Sequence, residues 1–96
     1  MRWEYLIVQY LATPREEHGR LVWTQEYNIG HPSGTPQSRR GDQVSLSGLL
    51  NELGRQGWEL VAETVLETKA FDTPSHRGVT HVPVEMHWIL KRPMQP

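Results

Sequence analysis

The chain has 96 residues, a formal net charge of -1 at neutral pH and no cysteine. This length predicts a single domain over residues 1–96, and the absence of cysteine excludes disulfides, thiolate nucleophiles and cysteine-bound zinc or iron–sulfur sites. The balanced charge gives no bulk attraction to nucleic acid or to an anionic membrane, and no stretch approaches the roughly 20 apolar residues that span a bilayer. We therefore expect a cytoplasmic protein that binds no membrane.

Two strands are predicted in the first third of the chain. Residues 3–11 are rich in aromatic and β-branched side chains and are apolar on both faces, which is typical of a central strand. After a polar turn over residues 12–19, residues 21–29 alternate between apolar and polar side chains, as a half-buried strand does. The two strands are expected to form an antiparallel hairpin.

Two long loops are predicted. Residues 30–42 are rich in glycine, proline, serine and arginine, and residues 69–80 are polar and contain a proline and a glycine. Loops of this length in a small domain are often functional, although a plain linker is the more common outcome.

The centre of the chain predicts one short amphipathic helix. Ser45, or Asp42 just before it, can cap the first turn, and Gly57 suits the left-handed position just past the last turn. Between them one helix face carries four leucines: Leu46, Leu49, Leu50 and Leu53. A helix this short is marginal in water, so its leucine face needs a sheet beneath it.

Two further strands are predicted over residues 58–68 and 81–91. Pro83 can donate no hydrogen bond to a strand ladder, which places its end of the last strand at an edge or outside the pairing. The predicted fold class is therefore α+β: a four-stranded, mostly antiparallel sheet in the order β-β-α-β-β, with one helix packed on one face.

Three segments together resemble a small bacterial family of domains of unknown function. They are residues 3–5 (WEY), 49–61 (LLNELGRQGWELV) and 89–92 (ILKR). The resemblance covers both ends and the middle of the chain, while the two long loops look like insertions relative to the family pattern. It implies a compact α+β domain and no reaction, because the matched residues are those that a fold needs.

A single helix covers only one face of such a sheet, so apolar side chains on the other face are expected to be bare. Exposed apolar patches of this kind mark interfaces. We therefore expect a homodimer with two-fold symmetry that pairs sheet faces or edges. The residues predicted for this interface are Leu6, Val8, Tyr10, Val61, Val65 and Ile89. In the first strand, the neighbours on the opposite face are the alternative.

Arg39 and Arg40 in the 30–42 loop are predicted to bind the acidic surface of a protein partner. Together with the aromatic side chains they would also suit a single-stranded nucleic acid. However, Trp23, Trp58 and Trp88 fall at core-facing positions, so nucleic acid is not the expected partner.

The main candidate metal ligands lie in the last strand. His81, Glu85 and His87 share a face of this strand. At roughly 3.3 Å per residue, about 20 Å separates the two histidines, which is too far for one ion. Only Glu85 and His87 could therefore share an ion, with Glu63 or His76 as a possible further ligand. A polar strand face is the favoured interpretation, and neither a metal nor another cofactor is expected.

Catalytic chemistry is not indicated by any motif. The chain has no nucleophile elbow, phosphate-binding loop or dinucleotide fingerprint. Three glutamates spaced by four are predicted to line a solvated strand face rather than to converge: Glu59, Glu63 and Glu67. We expect a non-enzymatic interaction module that self-associates through its sheet and binds a protein partner. The alternative is a small-molecule or metal-binding domain with an aromatic-lined pocket between helix and sheet or at the dimer seam.

Overall fold

The computed structural model describes residues 2–32, 34–73 and 78–94, which form one antiparallel sheet and one α-helix. The strands are β1 (Trp3–Glu17), β2 (Arg20–Gly30), β3 (Gln37–Arg40), β4 (Glu59–Thr73) and β5 (Gly78–Pro93), and helix α1 spans Leu46–Arg55. The spatial order of the strands is β3-β2-β1-β5-β4. In the part of the chain that the structure describes, no helix is long and apolar enough to cross a membrane.

The predicted four-stranded β-β-α-β-β arrangement is wrong, because the sheet has five strands. The additional strand, β3, lies inside the predicted 30–42 loop, and its sequence QSRR carries no apolar side chain. It is a strand because its backbone pairs with β2, from Glu26 opposite Arg40 to Ile29 opposite Gln37. Such pairing leaves no periodic signal in a sequence. One helix on one sheet is still an α+β arrangement, although most of the described chain is strand.

The two hairpins are longer than predicted. β1 continues through most of the predicted 12–19 turn, and the loop to β2 is only His18-Gly19, with φ of 52° and 75°. Two consecutive residues of positive φ make a turn whose twist matches the flanking strands. Pairing of β1 with β2 confirms the predicted hairpin. β4 and β5 likewise occupy most of the predicted 69–80 loop, of which residues 74–77 lie outside the described residues.

Helix α1 begins as the sequence predicts. Ser45 Oγ accepts a hydrogen bond from the Gly48 backbone N–H at 3.1 Å, which satisfies one of the free donors of the first turn. The leucine face packs on the sheet, with Leu49 and Leu53 buried and Leu46 and Leu50 partly buried. The predicted amphipathic helix is therefore confirmed.

The end of α1 is closed by the predicted glycine stop. Gly57 has a φ of 93°, in the left-handed region. The Trp58 N–H donates to the Leu53 carbonyl at 3.1 Å and the Gly57 N–H donates to the Gly54 carbonyl at 3.0 Å. These two bonds satisfy carbonyls of the last turn and lead the chain directly into the buried Trp58 ring.

Replacing Gly57 with alanine is expected to lower the free energy of unfolding by about 1–2 kcal/mol, because a side chain makes the left-handed conformation costly. Gly54→Ala is the matched control. Gly54 lies inside α1, with no atom within 4 Å of the added Cβ, so alanine there should raise the free energy of unfolding by about 1 kcal/mol. Urea unfolding followed by tryptophan fluorescence measures both variants, and effects of the same sign would contradict this account of the helix stop.

The core lies between α1 and one face of the sheet, here called the helix face. Side chains of a strand alternate between the two faces, and the even-numbered residues of β1 and of the C-terminal half of β5 point toward α1. The buried cluster consists of Leu6, Val8, Tyr27, Ile29, Leu49, Leu53, Trp58, Trp88 and Leu90. The opposite face, here called the open face, presents the odd-numbered residues of β1 and of the C-terminal half of β5.

Arg92 near the end of β5 joins three distant segments. Its Nε donates to the Glu4 carboxylate of β1, and its Nη1 donates to the Gln56 carbonyl at the end of α1 at 3.0 Å. The guanidinium also lies over the Trp58 ring, 4.2 Å from the ring centroid. Glu4, Trp58 and Arg92 therefore close the helix end against the sheet.

Candidate functional site

Strand β4 forms one edge of the sheet, and its side chains are largely exposed. From residue 59 to residue 70, every residue except Ala62 is exposed. Four of these exposed side chains are large and apolar: Leu60, Val61, Val65 and Leu66. A long edge strand presents free backbone donors and acceptors, and exposed apolar side chains beside them favour pairing with a second strand.

Irregular pairing between β4 and β5 displaces two of these apolar side chains. The register of the β4–β5 pairing shifts between Leu60 and Ala62 and again between Val65 and Glu67. Val61 and Leu66 are therefore extra residues of β4, which have no Cα partner in the described part of β5. A bulge of this kind bends the strand and can redirect a side chain. Val61 is 51% exposed and Leu66 is 49% exposed, so both bulges present a large apolar group to solvent.

The opposite edge of the sheet is protected. β3 has four residues, two of them arginines, and short charged strands discourage pairing with another chain. Arg39 Nη2 lies 3.5 Å from Glu52 Oε1 of α1, and Arg40 Nη2 lies 2.9 Å from Asp42 Oδ2. The two arginines predicted to bind an acidic partner therefore stand on an edge strand, and each already has an acidic neighbour.

The interface residues predicted in β1 lie on the helix face. Leu6 and Val8 are 0% exposed beneath α1, and Tyr10 packs partly buried beside them, so these side chains are not on an exposed surface. Their opposite-face neighbours Tyr5 and Ile7 are 54% and 46% exposed. Because both faces of this strand are apolar, its periodicity does not distinguish the face that the helix covers.

The other three predicted interface residues lie in β4 and β5. Val61 and Val65 are exposed on the β4 edge strand. Ile89 is half-buried on the open face, where it pairs with Ile7 of β1. The sheet therefore has two separate apolar surfaces, one along the β4 edge and one at the Ile7 end of the open face.

A ladder of polar side chains crosses the middle of the open face. Ser38 Oγ donates to Asn28 Oδ1 at 2.8 Å, and Asn28 Nδ2 donates to Gln9 Oε1 at 3.4 Å. Gln9 Nε2 in turn donates to Glu85 Oε2 at 2.9 Å, and His87 Nε2 lies 3.7 Å from the same oxygen. The open face is consequently polar at its centre, which makes it less suited to apolar pairing than the β4 edge.

Glu85 and His87, the pair whose spacing suits a shared ion, are neighbours on this open face. The His87 Nε2 atom is buried and has no hydrogen-bond partner among the described residues. Glu63 points to the other face, and His76 lies outside the described residues. No group of three potential metal ligands occurs within residues 2–32, 34–73 and 78–94.

A cavity of about 370 Å³ opens on the helix face beside the first turn of α1. The ring centroids of Tyr10 and Tyr27 lie 5.3 Å apart, and each is 6.2 Å from that of Trp88. The remaining lining residues are Leu46, Glu63, Val82, Pro83 and Met86. Because α1 begins only at Leu46, the helix does not extend over this part of the sheet. We call this space the aromatic cavity.

The polar groups of the aromatic cavity have defined partners. Trp88 Nε1 donates to Glu63 Oε2 at 2.7 Å. Burial raises the pKa of Tyr10, an effect that a hydrogen bond with Gln25 partly offsets. Burial also raises the pKa of Tyr27, with the neighbouring Tyr10 adding to the effect. Both hydroxyls are therefore neutral at physiological pH, and Glu63 is the only acidic or basic side chain among the described residues that line the cavity.

Glu63 reaches this cavity because of the first bulge in β4. Counting by twos places Glu63 on one face with Glu59 and Glu67, but the structure pairs Glu63 with Trp88 on the helix face. Glu59 pairs with Lys91 on the open face instead. A single extra residue reverses the facing of the residues between it and the next bulge, here residues 62–65, and no feature of the sequence signals that bulge.

The exposed β4 edge and the aromatic cavity are the two candidate functional sites in the described part of the chain. Comparison of the chain with protein-family models, with curated proteins and with solved structures gives no match. Function is accordingly inferred from the geometry and chemistry of these two sites.

Proposed function

We propose that the protein is a non-enzymatic interaction module of the cytoplasm that forms a homodimer by antiparallel pairing of the β4 edges of two copies. The observation that carries this proposal is the exposed β4 strand, with its four large apolar side chains. Pairing would satisfy the backbone groups of the edge and bury apolar surface from both copies at the same time.

The difference between the two sheet edges favours a closed dimer. Pairing β4 with β3 of another copy would be head-to-tail and would propagate into a filament. β3 is too short and too basic for this role, since it has only four residues, QSRR. Pairing β4 with β4 uses the same surface on both copies, and such a contact closes with two-fold symmetry.

The same dimer would leave the β3 edge at the outside of a continuous sheet. Arg39 and Arg40 would there be positioned for a protein partner with an acidic surface. Their present contacts with Glu52 and Asp42 are solvent-exposed ion pairs, which contribute about 0–1 kcal/mol each. A partner's carboxylates could replace them at little cost.

Replacing Val61 with lysine is expected to weaken the homodimer by about tenfold or more, because the valine of each copy loses apolar burial and an ammonium group is placed in the seam from both copies. Sedimentation equilibrium over a range of protein concentrations measures the dissociation constant. Circular dichroism verifies that the variant keeps its fold, as expected for a side chain that is half exposed.

Ile7→Lys is the matched control for this experiment. Ile7 is also a large apolar residue exposed to a similar extent, but it lies on the open face of β1. Its replacement should leave the dissociation constant unchanged. A wild-type protein that is monomeric at every concentration would overturn the proposal, and so would a dimer that Ile7→Lys dissociates and Val61→Lys does not.

A further inference from the structure

We infer that the two β4 strands of the homodimer pair in a single register, with the two-fold axis at Glu63, and that the carboxylates which meet there make the dimer tighter when their charge is screened or removed. This inference rests on the proposed homodimer. It adds to that proposal the residue at the axis and the charge that controls assembly. Three observations support it: the order of residues along β4, the faces on which they lie and the distribution of charge.

Residues 59–67 of β4 have nearly the same order when read from either end, ELVAETVLE. Antiparallel pairing about a two-fold axis at Glu63 sets residues at equal distances from Glu63 opposite each other. All four large apolar side chains exposed on this edge then meet apolar side chains of the second copy, Leu60 opposite Leu66 and Val61 opposite Val65. The exposed edge is therefore complementary to a second copy of itself.

Neighbouring registers lose this match. An axis at Ala62 or at Thr64 would set Val61 and Val65 of each copy opposite glutamates. Apolar side chains that face carboxylates gain little from pairing, because the charged groups must stay hydrated. The axis at Glu63 is consequently the favoured one of the three.

The faces of β4 agree with this axis. Two residues that are opposite each other in paired strands lie on the same face of the combined sheet. Glu59 and Glu67, which the axis sets opposite each other, both pair with odd-numbered residues of β5 on the open face. Ala62 and Thr64, the next matched pair, lie on the open face for the same reason. Glu63 and Thr64 lie on opposite faces, so the axis cannot fall between them.

The same register brings carboxylates of the two copies together. Glu63 is opposite its own counterpart, and Glu59 is opposite Glu67 on either side, which makes three pairs of like charge. Like charges directly opposite each other destabilise strand pairing. Glu63 accepts the Trp88 indole N–H at 2.7 Å, and no lysine, arginine or histidine is among the described residues that line the cavity beside it.

The groups around the two outer pairs compensate only part of their charge. Glu59 has Lys91 opposite it on β5, whereas Glu67 has Glu85 opposite it, which adds negative charge. His87 Nε2 lies 3.7 Å from that Glu85 carboxylate rather than at the β4 edge. The only basic residue of β4, a lysine at position 69, falls outside the matched segment. Joining two β4 edges therefore meets an electrostatic repulsion that salt reduces by screening.

The register is tested with single cysteines, because the chain has none of its own. Glu63→Cys places two thiols opposite each other at the axis, where the Cα atoms of opposed residues are about 4.5–5.5 Å apart and a disulfide can form. Ala62→Cys and Thr64→Cys are the matched controls, since each of these cysteines lies about 8 Å from its own counterpart. In a glutathione redox buffer, Glu63→Cys should form at least about tenfold more covalent dimer than either control on a non-reducing gel.

An equal mixture of the two controls is a second measurement that leaves Glu63 unchanged. Ala62 of one copy is opposite Thr64 of the other, so the mixture should yield a cross-linked heterodimer that neither variant forms alone. Efficient cross-linking of either control by itself would overturn the register, and so would the absence of a cross-link from both Glu63→Cys and the mixture. If sedimentation shows a dimer in these cases, the homodimer proposal stands without this register.

The charge effect is tested by sedimentation equilibrium with Glu63→Gln, which keeps an oxygen that accepts the Trp88 indole N–H. Its dissociation constant should be about two- to fivefold lower than that of the wild type at low ionic strength. Potassium chloride should tighten the wild-type dimer more than the variant. Glu16→Gln removes an exposed carboxylate of β1 and should change nothing. A Glu63→Gln dimer no tighter than the wild type would overturn the charge effect, and a wild-type protein that is always monomeric would overturn the homodimer with it.

Discussion

Replacing Val8 with lysine is expected to lower the free energy of unfolding by more than about 4 kcal/mol, because an ammonium group would be placed in the core without a counter-charge. Val8 is 0% exposed and belongs to the buried cluster, with Ile29 and Trp88 opposite it on the two neighbouring strands. Small domains have a total stability of about 5–15 kcal/mol, so a large fraction of the variant should be unfolded at room temperature. Urea unfolding and the dispersion of the amide NMR spectrum measure the loss.

Ile7→Lys is the control for this prediction as well. Ile7 is the preceding residue in β1, but it is 46% exposed on the open face, where the ammonium group can remain in water. Its free energy of unfolding should stay within about 0.5 kcal/mol of the wild type. Two neighbouring positions with opposite outcomes would establish which face of β1 lies beneath α1, and similar losses at both would contradict the described packing.

Replacing Arg92 with alanine is expected to lower the free energy of unfolding by about 2–3 kcal/mol. The side chain is 36% exposed, so its ion pair with Glu4 contributes little by itself. Most of the loss should come from the charge-assisted hydrogen bond to the Gln56 carbonyl and from the contact with the Trp58 ring, which also covers apolar surface.

A lysine at position 92 should recover less than half of that loss. An ammonium group is a compact point charge, and it cannot donate in two directions in one plane while it stacks on a ring. Lys91→Ala provides a comparison, because Lys91 lies 4.1 Å from the centroid of the Trp3 ring without the additional helix contact, and its loss should be about 0.5–1 kcal/mol. Chemical denaturation measures all three variants. An Arg92→Lys variant as stable as the wild type would show that charge alone matters at this position.

The parts of the fold that sequence reasoning predicted correctly are local. The leucine spacing, Ser45 and Gly57 act within about one or two helical turns, so their pattern predicts α1 and both of its ends. Pairing of β1 with β2 likewise joins segments that are adjacent in sequence. Pro83 is partly as predicted: it lies beyond the described ladder between β1 and β5, which ends at Leu11 opposite Glu85, but it remains inside the ladder with β4, opposite Thr68.

The candidate sites depended more strongly on tertiary structure. An exposed apolar surface and an aromatic pocket between helix and sheet follow from having one helix and several aromatic strands. The positions of this surface and of this pocket do not follow from the sequence. Leu6 and Val8 belong to the core rather than to a surface, and Glu63 lies on the helix face beside the aromatic cavity rather than on the same face as Glu59.

The sequence by itself determined the elements whose signal is short-range: one capped amphipathic helix, the main strands and the absence of thiol chemistry. Only the tertiary structure decided that β3 is a strand, which face of β1 the helix covers and where the bulges of β4 fall. The physical reason is the same in each case. β3 is held by backbone bonds that are independent of side chains, β1 is apolar on both faces, and each bulge is one extra residue that reverses the facing of the residues after it.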